Sequence, residues 1–145
     1  MLTIANTNLG ATPCIQFIND ASTNVVKYCT VTSVENTATS GTIVFGGSTG
    51  LNGNDNNIID HCNIGDGATT PAFGIFALGN TATVASYNDN CRITNCNLFN
   101  FFSATANSTG LTIDLGNSAW TFSGNCLTQA STRTRTFAPT HRPLR

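Results

Sequence analysis

Residues 56–66 read NNIIDHCNIGD and set a carboxylate, an imidazole and a thiol side by side as Asp60, His61 and Cys62, with Asp66 close behind. A carboxylate touching a histidine can move a proton, and a thiol beside an imidazole can act as a nucleophile. Two carboxylates facing one glycosidic bond can cleave it as acid and base. The other acids are Asp20, Glu35, Asp55, Asp89 and Asp114. Asp55 and Asp89 sit in matching Asn-Asp-Asn triplets, 54–56 and 88–90, and are the pair that could share a hard cation such as calcium. The thiol dyad is the weakest of these readings, because adjacent residues at a bend point apart.

Cys62 has a simpler explanation in a repeat. NDNNIIDHCNI (54–64) lies over NDNCRITNCNL (88–98) at an offset of 34 residues. An earlier copy, STNVVKYCTV (22–31), stands 33 residues before the second, and AWTFSGNCL (119–127) is a later one. The shared frame is apolar-x-x-(Cys/Asn)-x-apolar. It yields Val26/Cys29/Val31, Ile59/Cys62/Ile64, Ile93/Cys96/Leu98 and Phe122/Asn125/Leu127. The ladder column is therefore Cys29, Cys62, Cys96 and Asn125, and Cys126 falls outside it. In the same frame Asp60 shares a column with Lys27, Thr94 and Ser123, and His61 with Tyr28, Asn95 and Gly124. Lys27 becomes the expected ion-pair partner of Asp60, and His61 a bend residue.

The elements that position these columns are strands. Glycine-bracketed alternating runs follow the first three copies: SGTIVFGG (40–47), FGIFALGN (73–80) and TGLTIDLGN (109–117). No segment holds a helical period over ten residues. Short strands in fixed order at a fixed period of this length predict a solenoid, in which each unit buries its apolar face only by stacking on its neighbours. Equivalent strands then pair in parallel about 4.8 Å apart. Asn at tight bends suits left-handed backbone angles. A buried Cys column behaves as a small hydrophobe, although neighbouring rungs also come within disulfide reach.

The frames NNIIDHCNI, DNCRITNCNL and WTFSGNCL resemble the repeats of right-handed parallel β-helix proteins of the pectate-lyase-like superfamily, over residues 14–127. More narrowly, CNIGDGATTPAFGIFALGN, ITNCNLFNFF and WTFSGNCLTQASTRTRTFAPTHR resemble a repeat of very large secreted bacterial surface proteins. The resemblance implies an all-β, right-handed parallel β-helix of about four coils over residues 1–130, followed by a basic tail, 131–145, and read as an excerpt of a longer solenoid. It also implies an adhesin-like structural role at the cell surface or outside the cell, touching polysaccharide or surface glycan, without catalysis or cofactor. The alternative it implies is a polysaccharide lyase or hydrolase fragment using Asp60, His61 and Asp66, with calcium at Asp55 and Asp89. A trimeric fibre is a third reading. The aromatic cluster LFNFF (98–102) reads as core or as a sugar-stacking platform.

Bulk properties narrow the partners. Charged residues make up 9% of the chain and the net charge is −1, which supplies no general attraction for nucleic acid. Four of the six basic residues (Arg133, Arg135, Arg142, Arg145) lie in the tail with His141, which reads as solvated. No apolar run reaches the length of a membrane span, and MLTIANTNLG does not read as a secretion signal. A solenoid of so few coils exposes two apolar ends, so marginal stability or self-association is expected. Circular dichroism and light scattering check this: a monomer that melts cooperatively above about 65 °C would contradict it.

Overall fold

The structure, a computed structural model, describes residues 1–10 and 12–134. The described residues form fifteen strands and one 3₁₀ turn (Val84–Ser86). β1 (Leu2–Asn6) precedes the first coil. That coil contains β2 (Ile15–Phe17), β3 (Val25–Lys27) and β4 (Cys29–Ser33). The second contains β5 (Ile43–Phe45), β6 (Ile58–Asp60) and β7 (Asn63–Asp66). The third contains β8 (Phe73–Ala77), β9 (Asn88–Asp89), β10 (Arg92–Thr94) and β11 (Asn97–Phe99). The fourth contains β12 (Thr109–Ile113), β13 (Asn117–Ser118), β14 (Thr121–Ser123) and β15 (Cys126–Thr128).

Each strand pairs with its equivalents one coil away, and the described pairings are parallel. Three walls result: sheet 1 (β2-β5-β8-β12), sheet 2 (β3-β6-β10-β14) and sheet 3 (β1-β4-β7-β11-β15), with the short β9-β13 pair between the first two walls. This is a parallel β-solenoid of about four turns. β1 lies outside the span of the sequence frame. Its LTIAN extends sheet 3 by pairing Leu2 with Cys29 and Ile4 with Val31.

Alternation along these strands aims one set of apolar residues inward. The core columns are Ile15/Ile43/Ile75/Leu111 and Phe17/Phe45/Ala77/Ile113 in sheet 1. Sheet 2 supplies Val26/Ile59/Ile93/Phe122, and sheet 3 supplies Ile4/Val31/Ile64/Leu98/Leu127. Phe17 stacks on Phe45 at 4.4 Å, and Trp120 meets Phe45 edge-on at 4.8 Å. Burial depends on having a coil on each side. Ile59 and Ile93 are fully covered, whereas Phe122 and Leu127 in the last coil are 42% and 53% exposed.

The corners require left-handed residues. Tyr28, His61, Asn95 and Gly124 turn sheet 2 into sheet 3 with φ between 52° and 65°. Thr23, Asn56, Asn90 and Ala119 make the matching bend before sheet 2, with φ of 54–59°. Beside that bend, side-chain amides continue the backbone ladder. Asn54 donates its backbone N–H and its Nδ2 to Asn88 Oδ1 at 3.0 and 2.9 Å, and Asn88 Nδ2 donates to Asn117 Oδ1 at 3.0 Å. In the neighbouring column Asn57 Oδ1 accepts the Asn24 N–H at 2.9 Å, while Asn57 Nδ2 donates to the carbonyls of Ala21 and Asn54. Asn54, Asn57 and Asn88 are fully buried, so each amide must find its partners inside the protein.

Asn88→Ala would strand the Asn54 backbone N–H in the interior and remove the bond to Asn117, while Asn54 Nδ2 keeps the Gly46 carbonyl. It should cost about 2–4 kcal/mol in urea unfolding, whereas Asn24→Ala at the exposed first coil should cost less than about 1 kcal/mol.

Candidate functional site

Asp60 ends β6 at the corner between sheets 2 and 3, and its column neighbours are Lys27 and Thr94, as the repeat frame requires. It belongs to the outward column, yet its carboxylate is covered by its neighbours. Oδ1 accepts three hydrogen bonds: from Thr94 Oγ1 at 2.6 Å, His61 Nδ1 at 3.0 Å and Asn95 Nδ2 at 3.1 Å. Lys27 Nζ lies 3.5 Å from Oδ2. The Thr94 hydroxyl first, then His61 and Asn95, hold the Asp60 carboxyl well below the usual carboxylate range. A carboxylate so occupied stays ionised at neutral pH and is a weak base, which suits neither half of an acid–base pair working near neutrality.

His61 is the left-handed corner residue, and its ring rests against that of Tyr28 one coil earlier, at 5.1 Å. Cys62 turns inward from the same corner. Its thiol donates to the carbonyls of Asp60 at 3.4 Å and Val26 at 3.5 Å. Cys96 repeats the arrangement with Thr94 at 3.2 Å and Ile59 at 3.6 Å, and Cys29 donates to Lys27 at 3.1 Å. Asn125 fills the same place with an amide: Nδ2 donates to Ile93 O at 2.7 Å, and Oδ1 accepts the Cys96 N–H at 2.9 Å. Cys and Asn thus share a column because both donate to a carbonyl of the preceding coil. The hydrogen bond that Cys96 donates to Cys62, then burial, hold the Cys96 thiol protonated; the same bond lowers Cys62 to about 6, and burial raises Cys91 to about 11. All six cysteines are free thiols. The raised Cys91 and Cys96 thiols suit packing rather than nucleophilic chemistry.

The remaining acids are dispersed. Asp66 closes β7, on the order of 10 Å along sheet 3 from the Asp60 corner, and both its carboxyl oxygens accept from Asn100 Nδ2, at 3.1 and 3.2 Å. Asp55 and Asp89 do share a column. Asp55 Oδ1 accepts the Asp89 N–H at 2.8 Å, and Asp89 Oδ1 accepts the Ser118 hydroxyl. Burial, then the charges of Asp89 and Asp20, raise the Asp55 carboxyl. The pair is built as two rungs, each carboxylate serving the next coil. Among the described residues no group of three or more His, Cys, Asp or Glu could hold a metal ion, and no helix is long and apolar enough to cross a membrane.

The aromatic cluster divides between the two faces. Leu98 is core, while the Phe99 ring lies across Gly65 on the outside of sheet 3. A Cβ on Gly65 would come within 2.6 Å of that ring. The tail is described only to residue 134. There Arg133 sits over the Phe102 ring at 5.8 Å and donates to Gln129. Arg135, His141, Arg142 and Arg145 lie outside the described residues.

Thr94 and Asn95 as carboxylate donors escaped the sequence reading, although Thr94 stands in the Asp60 column one coil on. A column states which residues are neighbours, but hydroxyl and amide directions appear only in three dimensions. The chain matches no known protein family, no curated protein and no solved structure.

A depressed native carboxyl stabilises the fold above its unfolded value. Asp60 should therefore contribute at neutral pH and lose that contribution as pH falls below the ordinary 3.8. Unfolding curves across the acid range should show a smaller acid-induced loss for Asp60→Asn. His61→Gly should leave stability within about 0.5 kcal/mol, whereas His61→Val, β-branched at a left-handed position, should cost about 1–2 kcal/mol.

Proposed function

We propose that this chain is a structural, adhesin-like segment of a secreted bacterial surface protein, a stiff β-helix spacer of the pectate-lyase-like kind that touches glycans along one wall. The observation that carries the reading is the use of the acids. Asp20 accepts from Ser48, Leu51 and Asn52, Asp55 from Asp89, Asp60 from Thr94 and Asn95, Asp66 from Asn100, and Asp89 from Ser118. Each of these bonds ties one coil to another, and the carboxylates do not converge on a shared groove.

The outer face of sheet 3 supports glycan contact. Its columns Thr3/Thr30/Asn63/Asn97/Cys126 and Ala5/Thr32/Gly65/Phe99/Thr128 carry no charge. The flat Phe99 ring beside the Asn63 and Asn97 amides offers an apolar surface for a sugar's C–H face, with donors and acceptors for its hydroxyls. Under this reading the protein needs no cofactor, takes no nucleic acid and inserts in no membrane. Its ends, with Phe122 and Leu127 at one and Leu2 and Val25 at the other, are the surfaces for self-association.

The second reading is a carbohydrate-active fragment, a lyase or hydrolase, and the Asp60–His61 contact is what favours it. The test is an assay of the folded protein on a polysaccharide panel including polygalacturonate, with and without calcium, run beside retention on immobilised glycans. Retention without turnover, lost in Phe99→Ala, is the expected result. Turnover lost in Asp60→Ala would overturn the structural reading.

A further inference from the structure

The connection between β4 and β5 turns a carboxylate inward. Val34 and Glu35 are buried, Glu35 completely, and so is Ser40. The backbone of Glu35 is satisfied: its N–H donates to Ser33 Oγ at 3.0 Å, and its carbonyl accepts the Ala72 N–H at 2.9 Å. The side chain is not. Oε1 accepts the Thr37 N–H at 2.6 Å, while Oε2 is buried without a hydrogen-bond partner. Thr37 Oγ1 and Ser40 Oγ are buried and unpartnered as well. Three oxygens from one stretch of six residues thus lack the donor or positive charge that a buried polar atom requires. The ion pairs of the described residues both belong to Asp60, so among those residues no Lys, Arg or His compensates the Glu35 carboxylate.

We propose that residues 35–40 form a binding site for a hard divalent cation, calcium in particular. The donor set is entirely oxygen, one carboxylate and two hydroxyls, which selects hard cations over zinc or copper. Calcium tolerates the irregular geometry of a turn, whereas magnesium demands a near-ideal octahedron and gives up its water reluctantly. With a single carboxylate the affinity belongs to the weak class typical of extracellular modules, on the order of 10⁻⁴–10⁻³ M. The site is separate from the Asp55/Asp89 column, whose carboxylates already serve neighbouring coils. A cation there would join the loop's oxygens at the corner between sheets 3 and 1, acting as a staple between two walls.

Calorimetric titration of the whole chain with calcium chloride, paired with thermal melting in millimolar calcium against chelator, tests the site. Binding of one calcium per chain and a rise in Tm of several degrees are expected. Both should vanish in Glu35→Gln and persist in an Asp55→Asn/Asp89→Asn double variant. Thr37→Val/Ser40→Ala, which keeps the carboxylate, should weaken calcium at least tenfold, and it decides the matter if Glu35→Gln does not fold. Wild-type protein that neither binds calcium nor gains stability would overturn the proposal. So would a calcium effect that survives Glu35→Gln, is lost with Asp55 and Asp89, or is unchanged in Thr37→Val/Ser40→Ala.

Discussion

The in-register hydrogen bond between one coil and the next is the constraint on which everything else depends. A three-residue strand such as β6 has too little apolar surface to fold alone. It becomes stable because Val26, Ile59 and Ile93 lie over one another while the backbone amides pair across the same gap. Register and burial are therefore one condition. A slip of one residue would break the ladder and turn Ile59 outward in the same step.

Side chains that would be liabilities in an ordinary core become parts of that ladder. Buried Asn54, Asn57 and Asn88 accept and donate between coils at the bend before sheet 2. The Cys62 and Cys96 thiols and the Asn125 amide cap carbonyls at the bend after it. Asp55 and Asp89 do the same on the surface with backbone N–H and hydroxyl donors. This use of uncharged donors explains how a chain with 9% charged residues keeps its polar atoms satisfied. Glu35 departs from the pattern: one carboxyl oxygen serves its own turn, and the other is buried without a hydrogen-bond partner among the described residues.

The same dependence sets the weakness of the ends. Phe122 and Leu127 occupy the positions that Ile93 and Leu98 fill in the coil before, yet they remain half-open because no further coil stacks on them among the described residues. Their exposure comes from the architecture rather than from the residues chosen. An added coil or a second copy would be held by the interactions that hold coils three and four together.

The sequence by itself determined the repeat, the parallel stacking and the columns. The spacing of Ile59, Cys62 and Ile64 over Ile93, Cys96 and Leu98 leaves one register, and the Asn, Gly and His at the bends mark the corners. It also identified Lys27 as a partner of Asp60, because column membership is a matter of counting. It did not reveal β1, since LTIAN lacks the residues that precede the Cys position in the other copies. Only the tertiary structure decided how polar atoms meet. Thr94, Asn95 and His61 converge on one Asp60 oxygen, Cys62 and Asn125 turn out to be equivalent donors, and Glu35 folds inward while Asp66 stays at the surface. Period and alternation are properties of the chain and can be read along it. The direction of a hydroxyl or carboxylate depends on the rotamer that the neighbouring coil permits, and that exists only once the coils have stacked.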